Sequence, residues 1–313
     1  MKKYFIITID TEGDSLWDNE AEITTKNVAF LPRFQELCEK YSFIPVWLTN
    51  WEMVNDESFV KYFKEKQDKK LCEIGMHLHA WNNPPLYKLE SKTKERSYLY
   101  EYPYEIMEEK IKTLSEKLEE CFGVKPVSHR AGRWAMDKNY FILLKKYGYT
   151  NDCSVTPGNN WENNLGQTGK GGTDYSNFQN KIDIVDGILE MPVTIRNIRC
   201  FQSKRISSLY TFLREVKDFI KSKQQWIRPD KYCSSKGLKK VVRECYKSSC
   251  DYAMFMIHSS ELMPNGSPSF VSEKDIENLY ICIEDVFKYA KKLGFEGITL
   301  RDFTEIKKND FTK

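Results

Sequence analysis

The chain has 313 residues, with 48 Lys/Arg against 45 Asp/Glu, and its net charge of +3 points to no strongly charged partner. That length accommodates one large α/β barrel or two ordinary domains, and with no nucleic-acid motif the chain is not read as a DNA- or RNA-binding protein. No apolar run is long enough to span a bilayer, and the run in MKKYFIITIDTEGD is too short for a signal peptide. Nine scattered cysteines, an odd number without a Cys-x-x-Cys, fit reduced thiols and a cytoplasmic location.

Short apolar runs alternate with helical periods along the chain. YFIITID (4–10) reads as a buried strand, followed by a helix near 27–40. IPVWLTN (44–50) is the next strand, with a helix over 56–69, and CEIGMHLH (72–79) is the third. A polar loop with Pro84 and Pro85 leads to an amphipathic helix over 103–121. VSHRAGRW (127–134), a helix near 137–147 and NDCSV (151–155) follow. The Gly- and Asn-rich stretch 156–181 is too long for a passive connector and is read as a lid, a substrate wall or a solvated insertion. ILEMPVT (188–194), helices across 207–247 and YAMFMIHSS (252–260) come next. A helix over 272–293 and a final run, FEGITLRDF (295–303), close the chain. Seven or eight such units predict a parallel sheet closed into a distorted (β/α) barrel, as one domain over 1–313 with a polar insertion at about 156–187.

Residues 201–250 carry 13 Lys/Arg against 4 Asp/Glu, a local +9. This basic segment reads as a solvated helical surface, or as attraction to a phosphate-bearing carrier or an anionic membrane face.

Chemistry in such barrels sits at the carboxyl ends of the strands, and the unusual polar residues fall there one strand after another. The first strand ends in Asp10-Thr11-Glu12 and the third in His77-Leu78-His79. The fourth carries Arg130 and Arg133, the fifth Asp152 and the sixth Glu190. The seventh ends in His258-Ser259-Ser260-Glu261. Residues at i and i+2 share a strand face, so Asp10 with Glu12, and His77 with His79, are expected to converge. Two imidazoles and a carboxylate suit a divalent transition metal with positions left for water, and a spare carboxylate beside that water suits a general base. Zinc is expected, although nickel, cobalt, iron or manganese fit the same ligands. Trp81 and Trp134 are read as sugar-stacking or core residues, and Arg133, Glu190 and Glu261 as substrate-binding or structural ones. Arg133 and Asp152 could pair across adjacent strands, and His129 is expected to pack on the outer strand face.

Taken in order, TIDTEGD, EIGMHLHAW, SHRAGRW, NDCSV, ILEMPVT and MIHSSELMPNGSP resemble the polysaccharide deacetylase family, the NodB-homology group of carbohydrate esterases. The resemblance runs from residue 4 to about 268. It implies a distorted (β/α) barrel, usually of seven strands, and metal-dependent removal of an acetyl group from an N-acetylated sugar. On that resemblance Asp10 matches the general base, Glu12 falls where a metal-binding acid is expected, and His77 matches the first metal histidine with His79 as the second. Arg130 matches the arginine that holds the catalytic aspartate, and His258 matches the general acid. The sequence departs from the family pattern in two places. Thr11 separates the two acids, and the position four after His77 is Trp81, so Asp14 stands as a substitute ligand.

The mechanism so implied uses metal-bound water as nucleophile, Asp10 to take its proton and His258 to protonate the departing amine. The expected substrate is an intermediate of surface-polysaccharide biosynthesis, nucleotide- or lipid-linked, with peripheral membrane contact through the basic segment. Alternatives are a carbohydrate-binding protein that has lost catalysis and a metal-free glycoside hydrolase with its carboxylate pair drawn from Asp10, Glu190 and Glu261. An amidohydrolase barrel is disfavoured by the acids on the first strand and the small number of histidines.

Overall fold

The run YFIITIDT folds as strand β1 (Tyr4–Thr11), and its alternation sorts its side chains into two cores. Phe5, Ile7 and Ile9 join the larger cluster between sheet and helices, and Ile6 joins a smaller one inside the curl of the sheet. The computed structural model describes residues 2–16, 18, 19, 21–199, 222–231 and 235–311.

Around β1 lie β2 (Pro45–Thr49), β3 (Glu73–Leu78), β4 (Ser128–Ala131), β5 (Asn151–Asp152), β6 (Asp183–Val185) and β7 (Ile188–Glu190). A ribbon of β8 (Ile195–Ile198) and β9 (Lys223–Trp226) stands apart, and β10 (Tyr252–His258) and β11 (Glu296–Gly297) complete the set. The main sheet runs β10-β1-β2-β3-β4-β5-β7-β6, with β11 also paired to β1, and every pairing but β6 on β7 is parallel. The sheet is a curled half-barrel, the distorted barrel expected from the sequence. Among the described residues no strand ladder joins β7 to β10. Hydrogen bonds bridge that seam instead: the Tyr252 hydroxyl donates to the Pro192 carbonyl at 2.7 Å, Met254 N to Thr194 Oγ1 at 2.9 Å, and Met256 N to the Ile227 carbonyl at 3.1 Å.

Helices cover the outer face. Leu31–Lys40 buries Leu31, Phe34, Gln35 and Cys38, the one-sided spacing of an amphipathic helix. Asp56 caps Glu57–Asp68 by accepting from Ser58 N and Phe59 N. Inside the curl, Val46, Leu48, Cys153, Met191 and Met254 pack on Leu300 and Phe303, which close the amino-terminal end of the barrel.

Four predicted runs fold differently. FEGITLRDF contributes only Glu296–Gly297 as strand, and Leu300–Phe311 is a helix whose start is capped by Thr299 Oγ1, which accepts from Asp302 N at 3.0 Å. ILEMPVT stops at Glu190 because Pro192, two residues on, has no N–H for a ladder. NDCSV is a strand only over Asn151–Asp152, and SHRAGRW turns into a 3-10 segment at Gly132–Trp134. In the basic segment, residues 200–221 and 232–234 lie outside the described residues; the rest contains strand β9 and the helix Ser235–Lys247. No helix among the described residues is long and apolar enough to cross a membrane.

Candidate functional site

The inner face of the sheet turns polar toward the strand ends. Thr8 and Asp10 follow Ile6 on β1, Arg130 follows Ser128 on β4, and His258 ends β10 directly opposite Asp10 in register. Arg130 is wholly buried and each of its nitrogens is used. Nη1 meets Asp10 Oδ1 at 2.5 Å, Nη2 donates to Thr8 Oγ1 at 2.8 Å, and Nε donates to the Cys153 carbonyl at 3.1 Å. Burial alone would push the Asp10 carboxyl up. Arg130, His77 and His258 outweigh it and hold Asp10 far below the usual carboxylate range.

His77 and His79 converge although the strand ends between them, with their Nε2 atoms 3.0 Å apart. Glu12 Oε2 lies 3.3 Å from His79 Nε2 and 3.8 Å from His77 Nε2. The three donor atoms lie within 4.8 Å of one another, and all three residues are buried. His77 Nδ1 donates to the Arg130 carbonyl at 2.9 Å, which leaves its Nε2 lone pair facing Glu12 and His79. Burial brings both imidazoles down to about 4, so both are neutral at neutral pH, the form in which they ligate a metal; it also pushes Glu12 up. The donor set fits a divalent ion. Gly132 permits the approach: a Cβ there would lie 2.7 Å from His79 Cδ2 and 2.6 Å from the Leu78 carbonyl. Asp14, the expected substitute ligand, is turned away and accepts from Thr24 Oγ1 at 2.5 Å.

His258 Nε2 lies 3.6 Å from Asp10 Oδ2. Behind the ring, Glu261 Oε2 accepts from His258 N at 3.0 Å and lies 3.3 Å from Nδ1. Arg228 Nη2 reaches Glu261 Oε1 at 2.9 Å and His258 Nδ1 at 3.0 Å. Burial and Arg228 push the His258 pKa down, but Glu12 and Glu261 outweigh them and it sits above the ordinary histidine value. Against burial, Arg228 and His258 hold Glu261 down to about 2.

These groups line a cavity of about 350 Å³, at the small end for a ligand site. Its wall includes Asp10, Glu12, His77, His79, His258, Trp81, Arg133 and Trp134, all singled out in the sequence. Trp81 stacks on His79 at 4.3 Å between centroids, and the Arg130 guanidinium lies over Trp134 at 5.1 Å. Arg96 and Arg228 also line the wall and were not anticipated. Arg96 is one cation in a charged loop and carries no distinguishing pattern. Arg228 arrives because the Ile227–Met256 bond across the seam sets it beside His258.

Other expectations are corrected. Glu190 is not a wall residue. It shares the outer sheet face with Ile188, is registered with Asp152, and accepts from Val155 N at 3.1 Å. Glu261 lies beneath His258 rather than in the cavity, so of Asp10, Glu190 and Glu261 only Asp10 faces the cavity and no two of them form a glycosidase pair there. Asp152 does not pair with Arg133; its Oδ1 meets His129 Nδ1 at 2.5 Å, and His129 reaches the Tyr140 hydroxyl at 2.8 Å on the outer face, as expected of His129. None of the residues 156–187 lines the cavity, so the long loop is not its wall. That loop is instead anchored to buried Glu101, which accepts from Gln167 N and Thr168 N.

No family model and no curated protein matches the chain. Solved structures do. The GH57-type branching enzyme from Pyrococcus horikoshii matches with a TM-score of 0.55 and 12% identity, over 97% of this chain and 70% of that one. The Xyl-CE4 domain of a multidomain xylanase from the hindgut metagenome of Trinervitermes trinervoides matches with a TM-score of 0.48 and 9% identity, over 98% and 92%. The family 4 carbohydrate esterase from Streptomyces lividans matches with a TM-score of 0.45 and 9% identity, over 94% and 91%. At these identities the likeness shows the fold alone, the curled α/β barrel described above.

Proposed function

We propose that the chain is a metal-dependent hydrolase that removes the N-acetyl group of an amino sugar, acting on an intermediate of surface-polysaccharide synthesis. The observation that carries this reading is one cavity holding two separate devices. Glu12, His77 and His79 form a ligand set, and Asp10 with His258, 3.6 Å apart, forms a proton-handling pair. The ordered motifs of the sequence support the same reading.

Glu12, His77 and His79 would hold a divalent ion, zinc in the first instance, which when bound would supply Lewis acidity toward the acetyl oxygen and water. Asp10, ionised at rest and aimed by Arg130, accepts a proton from the attacking water. Its depressed basicity makes it a transient acceptor, which can pass the proton across 3.6 Å to His258 Nε2 once His258 has given its own to the departing nitrogen. Protonated His258 donates to the departing nitrogen, and Glu261 stabilises its charge. Trp81 and Trp134 offer flat apolar surfaces to a sugar ring. The small cavity suits a sugar unit or a chain end better than the middle of a long polymer.

The test is acetate release from N-acetylated sugars by protein stripped of metal and reloaded with zinc, cobalt or manganese. Release should vanish on chelation and return on reloading, and Asp10→Asn and His258→Ala should each lower kcat by roughly 10²- to 10⁴-fold. Binding without release, in metal-loaded protein across the whole panel, would replace this reading with that of a carbohydrate-binding protein.

A further inference from the structure

We propose that Arg96 and Arg133 form an anion subsite beside the hydrolytic centre, so that the substrate is an amino sugar carrying a carboxylate or phosphate group; this rests on the reading of the site as a sugar N-deacetylase. Both arginines are half-buried in the cavity wall. Arg130 and Arg228, the other two arginines of the site, are each matched by a carboxylate, Asp10 and Glu261. Arg96 and Arg133 make no direct ion pair among the described residues, although Glu12, Glu52 and Asp18 act on Arg96 from farther away. Arg96 donates to the Asp18 carbonyl at 3.1 Å, and Arg133 donates to the carbonyls of Arg96 and, at 2.9 Å, of Leu165. Burial disfavours the Arg96 charge, and the more distant carboxylates of Glu12 and Glu52 offset this only in part while Arg133 adds to it, so an anion seated directly on the pair would be favoured. Glu95, the remaining rim acid, is exposed to solvent.

The backbone supports a ligand-facing role. Arg133 and Trp134 both sit in the left-handed region, with φ of 56° and 61°, although neither is glycine. Such conformations are strained for residues with a side chain and persist where the surroundings enforce them, commonly at functional sites. Here the Tyr175 hydroxyl donates to the Trp134 carbonyl at 2.6 Å, and the Arg133 guanidinium lies on the Tyr98 ring at 4.1 Å. Arg96 lies over Trp81 at 5.1 Å, and Trp81 lies on His79. Stacking leaves part of the Arg96 N–H edge for an in-plane carboxylate or phosphate, whereas Arg133, with both Nη groups spent on carbonyls, holds Arg96 in place and adds its charge. One indole therefore separates the anion site from the ligand set, a spacing suited to a substituent of the same sugar or to a phosphate on its anomeric oxygen.

Binding to metal-free full-length protein tests this without turnover, so it stands or falls apart from the deacetylase reading. The ligands are N-acetylglucosamine, N-acetylglucosamine 1-phosphate and N-acetylglucosaminuronate, titrated by calorimetry at two salt concentrations. At least one anionic sugar should bind roughly 10- to 100-fold more tightly than the neutral one, and the excess should shrink with salt. Arg96→Gln should collapse that preference toward one, whereas Arg96→Lys should retain part of it. The phosphate and carboxylate arms identify which group is read. Equal binding of all three sugars by wild type, or a preference that survives in a folded Arg96→Gln, would overturn the proposal.

Discussion

His77 and Arg130 are joined twice over. They are register partners across β3 and β4, and the Arg130 carbonyl accepts from His77 Nδ1 at 2.9 Å while its guanidinium holds Asp10 at 2.5 Å. One residue thus fixes the tautomer of a metal-facing imidazole with its backbone and the charge of the neighbouring acid with its side chain. Replacing the side chain leaves the first function intact and removes the second. Arg130→Met therefore strands a buried carboxylate, and a cost of about 3–5 kcal/mol is expected, read by urea unfolding. Asp10→Asn in that background should recover part of the loss, because the uncompensated charge has gone. A double variant no more stable than Arg130→Met would contradict the ion-pair account.

Gly132 offers a probe of the ligand set that changes no ligand. A methyl at this position collides with the His79 ring and with the Leu78 carbonyl, one of them fixed backbone. The ring must give way, so Gly132→Ala should lower metal affinity by roughly 10- to 100-fold, as supporting-residue changes around metal sites do. Equilibrium dialysis against a competing chelator measures it. Wild-type affinity in this variant would mean that His79 is not held where the metal is bound.

The pH dependence follows from His258. As general acid it acts protonated, so kcat should fall as pH rises through its pKa, which against burial and Arg228 is raised in the metal-free chain by Glu12 and Glu261. Glu261 raises that pKa and Arg228 lowers it. Glu261→Gln should therefore move the alkaline limb to lower pH, and Arg228→Gln should move it to higher pH. Shifts in the same direction for both variants would show that the limb belongs to another group.

Much of the site was legible because it obeys strand alternation. Asp10, Arg130 and His258 are inward residues of β1, β4 and β10, and two-residue spacing was enough to join Asp10 to Glu12 and His77 to His79. Alternation read too far also produced the error at Glu190, which lies on the outer face with Ile188; a run ended by Met191-Pro192 gave no pattern long enough to fix its register. Glu261 lies beyond the strand, in a 3-10 turn, where spacing no longer fixes direction. Arg228 and Arg96 were invisible because long-range pairing delivers them: the seam contact at Ile227 for one, and the loop fastened by Arg133 for the other.

The two histidines are not equivalent ligands, and the difference lies behind their rings. His77 has its Nδ1 proton fixed by a carbonyl, whereas the group behind His79 Nδ1 is the Asn50 amide, with Nδ2 at 3.4 Å. Asn50 cannot simply turn its oxygen toward the ring. Its Oδ1 accepts from Met53 N as the cap of the helix Trp51–Val54, and its Nδ2 also meets Glu52 Oε1 at 2.5 Å. An amide N–H aimed at Nδ1 favours the tautomer with the proton on Nε2, the atom that must be bare to bind a metal. His77→Ala should therefore cost more metal affinity than His79→Ala. Asn50→Asp keeps a capping oxygen and supplies an acceptor for Nδ1–H, at the expense of the contact with Glu52. It should tighten metal binding by up to about 10-fold and raise the metal-dependent increase in Tm. Weaker binding in Asn50→Asp would mean that His79 serves the site as a hydrogen-bond donor to His77, with Glu12 and His77 left as the ligands.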